Sequence, residues 1–219
     1  MQNQIKAVIF DMDGTLVDTE LVTPPLERIM LENLEVPYTE EFQKEIIGLS
    51  KSDLYNLIKR KYNPNFSVEE ADQGYLGIAK TVYQERASLM PGAKELISFL
   101  KEKQIPMAIA SAAPKEWIEM FINRFDLEDT FLHLLSAETL KLPSKPDPAI
   151  FRRAMQLLEV QSQEVVIFED TLRGIQAGKA AGARVIAVPD ERWSFGDFSS
   201  ADLIADTLKD PMIFPFLFP

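Results

Sequence analysis

Four apolar residues, Ala7-Val8-Ile9-Phe10, run without a break into Asp11-Met12-Asp13-Gly14-Thr15. A short continuous apolar stretch ending in a turn signal predicts a strand covered on both faces. Beyond it the spacing changes, and over residues 17–89 apolar positions recur at helical intervals with almost no strand-like run. Thr23-Pro24 opens a first helix, proline being tolerated in the first turn, and Leu26, Ile29, Met30 and Leu34 mark its predicted buried face. Phe42, Ile46 and Ile47 mark a second helix that stops at Gly48. Ser50 and Asp53, then Leu54, Leu57 and Ile58, mark a third ending near Asn63-Pro64. Ser67-Val68-Glu69-Glu70 has the form of a capping box and opens a fourth.

Met90-Pro91-Gly92 punctuates the chain, and helix and strand then alternate. Leu96, Ile97 and Leu100 mark a helix, Met107 to Ala110 a strand, and Trp117, Phe121 and Ile122 a helix. The expected series continues with a strand from Phe131 to Leu135 and a helix through Ile150, Ala154, Leu157 and Leu158. It closes with a strand from Val165 to Phe168, a helix from Leu172 to Ala181, a strand from Val185 to Val188 and a short Leu203-Ile204 strand. Such alternation predicts an α/β fold with a doubly wound, Rossmann-like parallel sheet. Residues 1–16 and 90–219 are expected to form this core, with 17–89 as a small inserted α-helical domain. The tail from Pro211 to Pro219 is apolar but broken by three prolines, and is expected to pack back on the core.

Composition narrows the partners. The chain has 219 residues, 46% of them hydrophobic, enough for a sizeable core, and no apolar run reaches the roughly eighteen residues of a membrane span. The net charge of −11 disfavours nucleic acid and anionic membranes, which are bound through Lys and Arg. It equally opposes a phosphorylated small molecule unless the site itself supplies positive charge. The chain has no cysteine, and its start lacks the basic-then-apolar pattern of a secretory signal. Both point to the cytoplasm, and a monomer or weak dimer is the expected state.

Candidate chemistry gathers where the predicted strands end, the edge at which open α/β sheets bind ligands. Asp11 and Asp13 follow the first strand closely enough to repel each other and call for a cation, a shared proton or a donor. Read alone, they also suit a solvated Asp-Gly turn. Ser111 follows the second strand, where its hydroxyl and the next backbone N–H, that of Ala112, form an anion contact or a plain helix cap. Lys145 sits in Ser144-Lys145-Pro146-Asp147-Pro148, either as a placed counter-charge or as a solvated loop lysine. Glu169 and Asp170 end a further strand before Gly174-Ile175-Gln176-Ala177-Gly178, as hard-cation ligands or as helix-start acids. Four strand ends each offering a suitable group outweigh the four separate structural explanations.

Asp-Met-Asp-Gly-Thr, Ser111 after an apolar strand, Lys145 in Ser-Lys-Pro-Asp-Pro and Glu169-Asp170 before a Gly-rich helix resemble, in order and spacing, the four motifs of the haloacid dehalogenase superfamily. The resemblance extends over essentially the whole chain and is nearest to its sugar-phosphate phosphatase and β-phosphoglucomutase group, in which the helical insert is a cap that closes over the site. It implies that Asp11 is a nucleophile forming an aspartyl-phosphate. Asp13 would be acid to the leaving alcohol, then base for water. Mg²⁺ would be held by Asp11, the Asp13 carbonyl, Asp170 and Glu169, the last directly or through water, while Ser111, Lys145 and Thr15 hold phosphoryl oxygens. Gly48-Leu49-Ser50-Lys51 resembles the group's substrate-facing cap loop, which makes Gly48, Ser50 and Lys51 candidate substrate contacts. The group's mutases carry a histidine in the first cap helix. Here Thr19 to Thr23 has none, and the chain's single histidine, His133, lies in a strand-like stretch. The implied function is therefore Mg²⁺-dependent hydrolysis of a small phosphorylated metabolite such as a sugar phosphate. A phosphosugar mutase and a non-catalytic relative that binds a phosphorylated ligand or a partner protein are the alternatives.

Overall fold

The computed structural model describes residues 4–46, 49, 51–192 and 194–218. Gly48 and Ser50, two of the candidate substrate contacts, lie outside them. The chain divides into two compact units, residues 1–18 with 88–219 and residues 19–87.

The first unit is an α/β sandwich. Its strands are β1 (Ala7–Phe10), β4 (Met107–Ser111), β5 (His133–Ser136), β6 (Val165–Glu169), β7 (Arg184–Ala187) and β8 (Leu203–Ile204). They form one parallel sheet in the order β5-β4-β1-β6-β7-β8. The order reverses at β1, so the crevice beyond its carboxyl end is the switch point at which such sheets bind ligands. Every residue of β1, β4 and β6 is buried, which explains their unbroken apolar runs. Alternate side chains go to opposite faces. Ala7, Ile9, Ala108, Ala110, Val165 and Ile167 pack against Ile150, Phe151 and Ala154 of α7 (Ala149–Leu157) and Ile175 and Ala177 of α8 (Leu172–Ala180). On the other face Phe10 stacks on Phe168, ring centroids 5.0 Å apart, and meets Phe131 edge-on at 6.2 Å.

Two more helices, α5 (Ala93–Glu102) and α6 (Lys115–Arg124), complete the alternation. The β5 strand begins two residues later than the apolar spacing predicts. Leu132 instead bonds its N–H to the Met107 carbonyl and is exposed, because register is set by pairing with β4, where His133 faces Ala108. His133 is structural, its Nε2 3.0 Å from the Leu157 carbonyl. The proline-broken tail folds into α9 (Ile213–Leu217), with Ile213 and Leu217 buried. Phe214 and Phe218 flank the Phe99 ring at 4.7 and 5.8 Å, and the Arg184 guanidinium lies 5.2 Å from the Phe216 ring centre.

A two-stranded antiparallel ribbon that the apolar pattern does not predict joins β2 (Val17–Asp18) to β3 (Ser88–Leu89), with Asp18 opposite Ser88. Arg192, in the loop after β7, bonds Asp18 at 2.8 Å and is paired with Asp190 as well.

The second unit holds α1 (Thr23–Asn33), α2 (Glu40–Ile46), α3 (Lys51–Lys61) and α4 (Val68–Ala79), the last continuing as a π-helical stretch, Lys80–Arg86. Ser67 caps α4 by accepting from the Glu70 N–H. The buried face of α1 is rotated from expectation: Leu31 is its buried residue and Ile29 is 58% exposed. Met30 lies over Gly74 of α4, where an added Cβ would come within 2.5 Å of the Met30 side chain, so a close helix crossing rather than the apolar stripe sets the rotation. Tyr38, Phe42 and Tyr62 form one aromatic cluster and Tyr55, Phe66 and Tyr75 another.

Glu27 links these clusters, accepting from Tyr38 Oη at 3.0 Å and from Tyr75 Oη at 2.5 Å. Burial raises its pKa above the ordinary 4.5, the two tyrosines offsetting only part of the rise. An acid whose folded-state pKa is raised contributes stability that is complete below its unfolded value and is lost as pH climbs through the folded one. Glu27→Gln, which keeps the shape and cannot ionise, is therefore expected to gain melting temperature relative to the native chain as pH rises above the ordinary carboxylate value of 4.5. Parallel melting series check this; a pH-independent difference would contradict it.

Candidate active site

Asp11 follows β1 directly, its N–H bonded to the Phe168 carbonyl of β6 at 3.0 Å, so the neighbouring strand fixes its backbone. Lys145 reaches it from the loop before α7. Its Nζ donates to Asp11 Oδ1 at 2.5 Å, to Glu169 Oε1 at 2.7 Å and to the Ala110 carbonyl at 3.3 Å, and it lies 4.8 Å from the Phe151 ring centre. One ammonium thus joins the ends of β1, β4 and β6. Glu169 uses its other oxygen as well: Oε2 accepts from the Thr171 N–H at 2.8 Å and the Thr171 hydroxyl at 2.9 Å. Asp170 Oδ1 accepts from the fully buried Thr15 hydroxyl at 3.0 Å.

Two of the candidate residues make protein contacts of their own. Thr15, read from the sequence as a phosphoryl contact, is fully buried and donates its hydroxyl to Asp170. Glu169, read as a metal ligand acting directly or through water, has its oxygens bonded to Lys145 and Thr171. Ser111 ends β4 fully buried, and its Oγ accepts from the Ala113 N–H at 3.0 Å, which folds the chain around the exposed Ala112. Asp13 is half-buried beyond Asp11 and near enough to raise the Asp11 pKa. Asp11, Ser111, Lys145, Glu169 and Asp170 therefore gather at one sheet edge. Lys51 belongs to the other unit, where its Nζ is 3.4 Å from Asp72.

Sequence reasoning missed Thr171 and Arg173. A Thr immediately before a helix is a recognisable capping signal, and Thr171 does cap α8 by accepting from the Gly174 N–H at 3.1 Å. Arg173 leaves no such trace; its Nε donates to the Lys145 carbonyl at 2.8 Å, 28 residues away.

Backbone approach is close at two glycines. Gly14 has φ +77°, and a Cβ there would fall 2.3 Å from Asp170 Oδ2. At Gly174 it would fall 1.7 Å from Glu169 Oε1. Gly174→Ala is therefore expected to push Glu169 off Lys145, costing about 1–3 kcal/mol of stability and most of the activity. Melting and turnover on one phosphate ester check both, and a native-like variant would contradict the packing.

The electrostatics are unbalanced. Asp11, Glu169 and Asp170 are 8%, 1% and 6% exposed, and Lys145 is the cation among them. Burial pushes the Asp11 carboxyl up to about 7; Lys145 opposes the rise and the charges of Glu169 and Asp13 add to it. Asp170 is driven well above the usual carboxylate range by burial, then by Glu169 and Asp11. Burial alone would lower the Lys145 pKa, but the two carboxylates hold it above its ordinary value. Buried acids held this far from easy ionisation describe a site short of positive charge. Among the described residues no three His, Cys, Asp or Glu side chains form a ready cage for a metal. Mg²⁺ is commonly bound by one or two carboxylates together with waters and substrate phosphate, and Asp11 with Asp170 match that donor set.

Comparison with known proteins shows the family. The model of the haloacid dehalogenase-like hydrolases matches residues 8–188. The phosphorylated carbohydrates phosphatase of Thermotoga maritima is 33% identical over 178 residues, 81% of this chain and 82% of that protein. Hexitol phosphatase B of Escherichia coli K12 is 33% identical over 217 residues, 94% of this chain and 96% of that protein. The crystal structure of CbbY from Rhodobacter sphaeroides in complex with phosphate superposes with a TM-score of 0.83 at 25% identity, covering 94% of this chain and 95% of that one. With a matching family model over most of its length, and an acid-rich strand-end site on the expected parallel sheet, the chain belongs to the haloacid dehalogenase-like hydrolases.

Proposed function

We propose that this hydrolase is a Mg²⁺-dependent phosphatase of small phosphorylated metabolites, sugar phosphates foremost, working through an aspartyl-phosphate on Asp11. The observation that carries the reading is the convergence of Asp11, Lys145 and Asp170 in a buried, cation-poor cluster at the sheet's switch point. The similarity to phosphatases of phosphorylated carbohydrates and hexitols supports the substrate class.

The steps balance as two displacements at phosphorus. A carboxylate oxygen of Asp11 attacks, the bond from phosphorus to the ester oxygen breaks, and Asp13 gives its proton to the departing alkoxide. Asp13, now a carboxylate, takes a proton from water as that oxygen attacks the phosphorus, and the bond to Asp11 breaks to release inorganic phosphate. Lys145 holds Asp11 in place and balances charge, and the Ser111 hydroxyl and Ala112 N–H are proposed to bind phosphoryl oxygens. Asp11, Asp170 and the Asp13 carbonyl would hold Mg²⁺, which when bound would further neutralise phosphoryl charge. Such transfer depends on positioning and electrostatics more than on elaborate covalent chemistry.

Water is the proposed acceptor because His133 is bound to the Leu157 carbonyl and no histidine stands at residues 19–23. Phosphate release from a panel of sugar and polyol phosphates with Mg²⁺ is the test. Stoichiometric phosphate and free alcohol are expected. Rapid conversion of glucose 1-phosphate to glucose 6-phosphate with trace bisphosphate and little free phosphate would overturn hydrolysis in favour of a mutase. No release from any ester would favour a non-catalytic ligand-binding role.

A further inference from the structure

We infer that Arg173 is a positioning residue that sets Lys145 for the reaction, an inference resting on the role given to Lys145 above. Lysine reaches its target through four rotatable carbons and presents a compact charge without a fixed fork. Where its ammonium rests therefore depends on how firmly its own backbone is held. Lys145 lies in an irregular loop between Leu142 and Ala149. The Arg173 guanidinium, half-buried on the first turn of α8, crosses to that loop and donates Nε–H to the Lys145 carbonyl at 2.8 Å.

The same helical turn holds the lysine's acidic partner. Thr171 donates twice to Glu169 Oε2, and its hydroxyl in turn accepts from the Gly174 N–H. Residues 171–174 thus grip both ends of the Lys145–Glu169 pair, the carboxylate through Thr171 and the lysine main chain through Arg173. Below, Phe151 supports the ammonium at 4.8 Å. The sequence distance from Lys145 to Arg173 is closed by tertiary contact, and this bond fixes the main chain of Lys145 itself to α8. Without it the loop relaxes, and the ammonium no longer meets Asp11 and the transferring phosphoryl group together.

Small displacements of a charge-stabilising group reduce turnover more than binding. Arg173→Met, measured with Mg²⁺ and p-nitrophenyl phosphate, is expected to lower kcat about tenfold with KM changed less than about threefold. Arg173→Gln, too short to reach the carbonyl, guards against a folding failure of the methionine variant and is expected to behave alike. Arg173→Lys, which can still donate to that oxygen, is expected to recover most of the loss. The decisive comparison is a cycle with Lys145→Ala: if Arg173 acts through Lys145, Arg173→Met has little further effect in that background. Equal, additive losses in both backgrounds, or native kcat in Arg173→Met, would overturn the inference. Native turnover in Lys145→Ala would instead overturn the assignment of Lys145, which keeps the two failures apart.

Discussion

Asp11→Asn is expected to lower kcat by about four orders of magnitude or more, the scale of deleting a nucleophile, while the chain stays folded. The amide is isosteric, and its oxygen still accepts from Lys145, so the contact that Asp11 Oδ1 now makes survives in weaker form. The N–H bond from residue 11 to the Phe168 carbonyl belongs to the main chain and does not depend on the side chain. What disappears is the anionic oxygen that must attack phosphorus. Kinetics, a melting curve and a binding assay with beryllium fluoride and Mg²⁺ read the three consequences: turnover lost, fold retained, phosphoryl mimic no longer captured. A variant that keeps turnover within tenfold of the native enzyme removes Asp11 as the nucleophile.

Lys145→Met affects both stability and activity. Methionine fills similar volume beside Phe151 but leaves Asp11 and Glu169 buried without their shared cation. Breaking a buried ion pair from one side costs about 3–5 kcal/mol, which for a chain of this size lowers the melting temperature by roughly 10 °C. Turnover should fall by about a thousandfold, the effect of losing one charge-stabilising donor. Differential scanning calorimetry and steady-state kinetics check the two figures separately. A native melting point with turnover lost would place Lys145 in catalysis alone, and native melting with native turnover would mean the carboxylates are not held as described.

The positions of the candidate groups were legible in the sequence because strand ends are. Apolar runs over 7–10, 107–110 and 165–168 end where side chains must meet solvent or ligand, and the residues found there are Asp11, Ser111 and Glu169. Side-chain partners were not legible. The sequence leaves the partners of Thr15 and Glu169 open, and packing turns the Thr15 hydroxyl toward Asp170 and the Glu169 carboxylate toward its donors Lys145 and Thr171. Arg173 was invisible for a plainer reason: an arginine at the start of a surface helix has no pattern that tells where its guanidinium rests. The strands of the 17–18 and 88–89 ribbon are too short for period-two alternation to register, and the face of α1 was misjudged because Gly74 admits Met30.

That ribbon has a consequence for how the protein could be rebuilt. Asp18 and Ser88 are register partners, so the chain leaves and re-enters the α/β unit at two points about 5 Å apart. Closing that gap needs only a two-residue turn, while Arg192 holds the departing strand from the core side. The whole of residues 19–87 is in this sense a long loop with its ends already tied together. Such a junction can accept inserts of different length and content without disturbing the register of the sheet beneath, which makes it the natural cut point for exchanging helical units between related hydrolases.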